Sequence, residues 1–117
     1  MWQVLVLTGE DTQSSFERWY LGLRDTAART RIAARITRVL QAGNFGNHRE
    51  RISGAISEMK VDYGPGYRIY YVRLGNLIIV LIGGGTKDSQ QSDIETAVAL
   101  WERYKDNVEK YSQDISI

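Results

Sequence analysis

Cysteine is absent from the 117 residues, so the chain has no disulfide, thiolate nucleophile or thiolate metal site, and a reducing compartment, by default the cytoplasm, suits it. Histidine occurs once, as His48, and the carboxylates are not clustered at ligand spacings, so neither a metal nor another cofactor is expected. His48 stands between Asn47 and Arg49 with no Gly-x-Ser-x-Gly segment to serve, which argues against a serine triad. Proline also occurs once, and a composition of 43% hydrophobic and 25% charged residues is that of a globular chain, not a disordered or fibrous one. The longest apolar run, Leu77 to Ile82, is far short of the roughly twenty residues that span a bilayer as a helix, so no membrane partner is expected. Met1 to Leu7 lack the basic start and cleavage site of a signal peptide, and export is not expected.

What is present is basic charge in one region. The net charge is only +1, yet residues 18–73 carry eleven Lys and Arg against four acids, and the remainder is correspondingly acidic. Such segregation suits a face for phosphates, although solvated helix faces are the better account of the arginines of the second helix, Arg29 to Arg38.

Trp2 to Leu7 reads as a strand, followed by a helix with Phe16, Trp19, Tyr20 and Leu23 on one face. Asp25 or Thr26 caps a second helix that ends near Gly43 and carries Ala28, Ile32, Ile36, Val39 and Leu40 as its apolar stripe. Gly43 to Ser53 is polar and reads as loop. Strands are expected over Ser57–Asp62, Tyr67–Leu74 and Leu77–Ile82, separated by Tyr63-Gly64-Pro65-Gly66 and by a two-residue turn at Gly75-Asn76. After glycines 83–85, helical spacing returns from Asp93 to Lys110. The expected class is α+β in the order βααβββα: an antiparallel meander with an αα-hairpin and a C-terminal helix. Residues 1–110 form one domain, and 111–117 a frayed tail.

Strand parity decides where the polar residues fall. Pairing Asp62 with Tyr67 would place Arg68 among core residues, whereas an odd loop with Tyr63 opposite Tyr67 gathers Met59, Val61, Ile69 and Tyr71 on one face. Glu58, Lys60, Arg68 and Tyr70 then share the other face. Pairing Leu74 with Leu77 brings Arg68 opposite Gly83, beside a loop from Gly83 to Lys87. The expected working surface is thus a hairpin presenting Arg68.

Gly83-Gly84-Gly85-Thr86-Lys87 lacks the spacer and the Ser/Thr after Lys of a phosphate loop, so nucleotide triphosphates are not expected ligands. The patch instead offers cations for a phosphate, a carboxylate and aromatic rings for bases. These parts suit a metal-independent ribonuclease in which the RNA's own 2′-hydroxyl attacks the neighbouring phosphate. In that reading Arg68 clamps the phosphate, Lys87 adds charge or a leaving-group proton, and Glu58 is the candidate base. Lys60 and Tyr70, with Arg49 and Arg51, are the candidate RNA contacts. A surface ion pair between Glu58 and Lys60 explains those two residues as well.

The segments SEMKVDYGPGYRIYY and LIIVLIGGGTKDSQQSDIETAVAL resemble the RelE/ParE toxin superfamily, and more narrowly its HigB-like addiction-module killer proteins. The resemblance implies a RelE-like fold and a bacterial type II toxin held in check by a cognate antitoxin of helix-turn-helix type. It also implies cleavage of mRNA on the ribosome or, in the ParE branch, poisoning of DNA gyrase. Arg68 matches the family arginine and Lys87 the basic residue after the glycines. Lys60 stands where the family pattern Glu-Leu-Arg has arginine, and Thr86-Lys87-Asp88 offers no aromatic where several relatives carry a His or Tyr acid. A non-catalytic binding module is the remaining alternative.

Overall fold

Ser14 and Asp25 set the two helix starts of the N-terminal half. The computed structural model, which describes residues 2–116, places a strand β1 (Gln3–Leu7) before helices α1 (Ser15–Gly22) and α2 (Thr26–Ala42). The buried Ser14 hydroxyl accepts from the Glu17 amide while the Glu17 carboxylate accepts from Ser14 N–H, a reciprocal cap. Asp25 accepts from the Ala28 amide, and Gly43 closes α2 at φ +63°, as the sequence predicts.

Four strands follow, β2 (His48–Ser53), β3 (Ile56–Val61), β4 (Tyr67–Leu74) and β5 (Ile78–Thr86), then α3 (Gln90–Tyr104), the short α4 (Val108–Tyr111) and a strand β6 (Ser112–Asp114). Single 3₁₀ turns at Lys87–Ser89 and Lys105–Asn107 flank α3. The chain is therefore α+β, but the sheet is larger than the expected meander. Its six strands run β2-β3-β4-β5-β1-β6, with β1 parallel to β5 and antiparallel to β6.

Both faces of the sheet are covered, which is why Ile69–Val72 of β4 and Ile78–Ile82 of β5 are continuous apolar runs. Phe16 of α1 and Ala28, Ile32, Ile36 and Val39 of α2 bury one face with Val4, Val6, Met59, Ile69, Tyr71, Ile79 and Leu81. Ala97, Trp101 and Tyr104 of α3 bury the other with Leu7, Ile56, Tyr70, Val72, Val80 and Ile82. The odd loop partitions the residues as expected, although the register differs: Val61, not Tyr63, faces Tyr67, and Lys60 faces Arg68.

Four expectations are corrected. His48–Ser53 is an edge strand, not loop; its charged residues conceal the pairing because an edge strand has little to bury. Glycines 83–85 lie within β5, so no loop runs from Gly83 to Lys87. The second hairpin pairs Leu74 with Ile78, and a bulge at Ile82 moves Arg68 opposite Gly85 instead of Gly83. The segment beginning at Tyr111 is tied down where it was expected to fray, since Ser112, Gln113 and Asp114 pair with Leu7, Val6 and Leu5; Ile117 lies outside the described residues.

The glycine run has a steric cause. A Cβ on Gly84 would stand 2.2 Å from Trp19 Cε3 of α1, and one on Gly85 would collide with the Asp93 carboxylate of α3. The pleat turns these neighbours toward opposite faces, and each face carries a helix too close for any side chain.

Candidate functional site

Glu58 is the centre of the polar cluster. Fully buried on β3, it receives Arg49 Nη2 at 2.8 Å and Nε at 3.2 Å from β2, both on Oε2. Gln90 at the start of α3 donates to Oε1 at 2.8 Å, and Arg68 Nε lies 3.4 Å from the same oxygen. Arg68 Nη1 also donates to its neighbour's carbonyl, Tyr67 O, at 3.2 Å. Two guanidinium groups and an amide therefore converge on one carboxylate in a nearly dry setting, where an unpaired charge is costly.

This geometry reassigns several expected roles. Arg68 is not presented to solvent: its side chain is 8% exposed, because α3 lies over the face it occupies. Glu58 is shielded from any substrate and occupied by three donors, so it serves as an internal counter-ion and not as an accessible base. The surface pair with Lys60 does not form; Arg49 and Arg68 take that place. Tyr70 is buried beneath α3 and offers no ring for base stacking.

Lys60 and Lys87 do come together with this cluster. Lys60 stands opposite Arg68, Arg68 opposite Gly85, and the backbone amide of the exposed Lys87 donates to Gly66 O at 2.9 Å, beside the β3–β4 turn. Arg51 departs from it. At φ +52° it sits in the bulge of β2, its amide bonded to Ser57 Oγ, and it lines a separate surface cavity with Glu50, Ser57 and Arg73. His48, expected to be a solvated loop residue, opens β2 and shares a hydrogen bond through Nδ1 with Gly46 O.

Sequence reasoning missed Gln90, Ser89 and Asp93. Ser89 donates to Asp93 Oδ2 beneath Gly85, and Gln90 links α3 to Glu58. The compulsory glycine at 85 is the one trace these contacts leave in the sequence. Among the described residues no group of three His, Asp or Glu side chains could hold a metal ion.

Among the described residues, Arg68 Nε, Tyr70 Oη and Tyr71 Oη are buried without a hydrogen-bond partner, so the approach of Arg68 to Glu58 is an ion pair and not a hydrogen bond. Burial raises the Tyr70 phenol above its ordinary value of 10.0, and the nearby Glu58 and Asp93 raise it further. Burial, with Glu50, does the same for Tyr71. Because the folded-state values lie above the unfolded one, the stability linked to these groups is fully present below about pH 10 and is lost as pH rises beyond it. Urea midpoints measured from about pH 8 to 11 should therefore fall at the alkaline end. The Tyr70→Phe variant should fall less and should match or exceed the parent at neutral pH, since it removes an unsatisfied hydroxyl.

No helix among the described residues is long and apolar enough to cross a membrane. No protein-family model matches the chain. A search of solved structures likewise finds no significant match. An uncharacterized protein of Haemophilus influenzae (strain ATCC 51907 / DSM 11121 / KW20 / Rd) is 37% identical over 89 residues, covering 76% of this chain and 88% of the relative.

Proposed function

The chain belongs to one family with that uncharacterized Haemophilus influenzae protein, whose description carries no activity, so we propose a function from the residues of the chain itself. It is the toxin component of a type II toxin–antitoxin system, a ribosome-dependent endoribonuclease of the RelE/ParE kind that acts on mRNA in the cytoplasm. Its partner is a cognate antitoxin of helix-turn-helix type. The observation that carries this reading is the cationic end of the sheet, where Lys60 and Lys87 flank a buried Arg68 and Arg49 projects from the neighbouring edge strand. The resemblance of the residues around Arg68 to those toxins adds to it.

The chemistry asks little of a protein nucleophile. The RNA 2′-oxygen attacks phosphorus, the bond to the 5′-oxygen breaks, and a 2′,3′-cyclic phosphate is left. Fixed cations favour this by stabilising charge on the phosphate as it passes to five bonds. Lys87 supplies a proton to the departing 5′-oxygen, and the 2′-hydroxyl proton passes to solvent, since Glu58 is held by three donors.

Primer extension on mRNA translated with the protein present tests the reading. The parent should cut within coding sequence, and Lys60→Ala/Lys87→Ala should cut about a hundredfold less with an unchanged melting temperature. Intact mRNA with the parent protein would overturn the proposal. The burial of Glu58 favours a second reading, a ParE-like inhibitor that binds DNA gyrase without hydrolysis. That reading requires inhibition of supercoiling by the purified protein, with mRNA left intact.

A further inference from the structure

Two arginines share Glu58, and they differ in what is left over. Arg68 is enclosed, with 8% of its side chain exposed, and its Nη1 is used on Tyr67 O. Arg49 is 55% exposed, although the carboxylate it grips is fully buried. Its Nε and Nη2 both bond Glu58 Oε2, and the described residues give Nη1 no acceptor. One arginine is enclosed inside the protein, its Nε close to Glu58 but without a hydrogen bond among the described residues; the other is anchored by two of its nitrogens and open at the third.

We infer that Arg49, and not Arg68, is the guanidinium that meets the phosphate of the ligand, with Glu58 as its buried holder and Arg68 as a positioning residue. The inference rests on the reading of the site as an RNA site and names the group that does the touching. Three observations support it. First, Arg49 pairs directly with Glu58 across β2–β3, and regular pairing then lapses until Ser53, so it is the last residue held in register before the bulge. Second, β2 is the outermost strand of the sheet, and its far side is not covered by another strand. An extended polyanion can approach there without displacing α3. Third, the charges suit an anion at the surface: Arg49 and Arg68 are balanced by Glu58 and the nearby Asp93, and Lys60 and Lys87 add positive charge beside them.

Pre-anchoring is what distinguishes Arg49 from the lysines. A guanidinium fixed by a carboxylate loses little further freedom when it binds phosphate, and its planar fork keeps a donor aimed outward. Lys60 and Lys87 make no ion pair among the described residues and contribute charge on flexible stems. Asp88, exposed next to Lys87, weakens the field on that side.

The test is the affinity for a short single-stranded RNA oligonucleotide by fluorescence anisotropy across a salt series, run beside the ribosomal cleavage assay. Arg49→Ala should weaken binding about tenfold and reduce the slope of log affinity against log salt by about 0.7, the loss of one phosphate contact. Its melting temperature should fall, because the buried Glu58 loses both hydrogen bonds from Arg49, so binding is read at a temperature where the variant is folded. Arg49→Lys should recover the slope but only part of the affinity. Arg103→Ala, which removes an exposed arginine paired with Glu10, is the control and should change neither.

Binding by Arg49→Ala equal to that of the parent overturns the inference, as does a parent with no measurable affinity for the oligonucleotide. Cleavage on the ribosome is scored separately. A parent that cuts mRNA while Arg49→Ala binds RNA normally refutes the assignment of Arg49 and leaves the functional reading intact. A parent that binds RNA through Arg49 and cuts nothing retains the assignment and refutes the ribonuclease.

Discussion

Gly84→Ala should destabilise the protein by about 3 kcal/mol or more, a large share of the stability of a small domain. The added methyl group would stand 2.2 Å from Trp19 Cε3 and 2.3 Å from Cζ3, a distance that no rotation can relieve because the methyl has no freedom and the indole is packed between α1 and the sheet. Gly85→Ala should cost a similar amount on the opposite face, where its methyl meets the Asp93 carboxylate and Ser89 Oγ at 3.0 Å. Gly22 at the end of α1 has nothing within 4 Å, so Gly22→Ala should be neutral or slightly stabilising. Urea denaturation of the three variants provides the measurement. The Gly84→Ala/Trp19→Ala double variant should be less damaged than the sum of its single changes, because removing the indole makes room for the methyl. A Gly84→Ala protein as stable as Gly22→Ala would refute this account of the glycine run.

Arg68→Met should cost about 2–3 kcal/mol, somewhat below the loss expected when a buried charge is left with no partner at all, because Arg49 and Gln90 remain on Glu58. Methionine fills much of the same space, so the penalty comes from the Glu58 carboxylate, which keeps Arg49 and Gln90 but loses its enclosed counter-charge. Replacing both partners, as Glu58→Leu/Arg68→Met, should restore much of the stability, since neither charge then needs solvation. Chemical denaturation decides the matter: a double variant no more stable than Arg68→Met would refute the coupling. Loss of activity on replacing Arg68 is thus no proof that Arg68 touches the substrate.

Where sequence pattern and packing agreed, the sequence was legible. The spacing of Ile32, Ile36 and Val39, with Asp25 before and Gly43 after, defines α2 because local capping and one-sided burial point the same way. The separation of Met59, Val61, Ile69 and Tyr71 from Glu58, Lys60, Arg68 and Tyr70 follows from the pleat once the loop is odd. What parity could not reveal is that α3 covers the second face. Arg68 and Glu58 are polar yet enclosed, which hydrophobicity alone reads as exposure. The edge strand His48–Ser53 was hidden for the opposite reason, since its pairing depends on the backbone and on Arg49 meeting Glu58. Glycines 83–85 suggest a loop because flexibility is the commonest use of glycine, whereas Gly84 and Gly85 are required by the close approach of two helices.

The placement of β1 has a kinetic consequence. Gln3 faces Ile78 and Leu5 faces Val80, so β1 can enter the sheet only after β5, far later in the chain, has been synthesised. The β3–β4 and β4–β5 hairpins join neighbours in sequence and can form early, whereas closing the loop from β1 to β5 carries the larger entropic cost. Pairing of Ser112–Asp114 with β1 comes later still. During synthesis β1 therefore stays without its neighbour in the sheet until β5 has emerged.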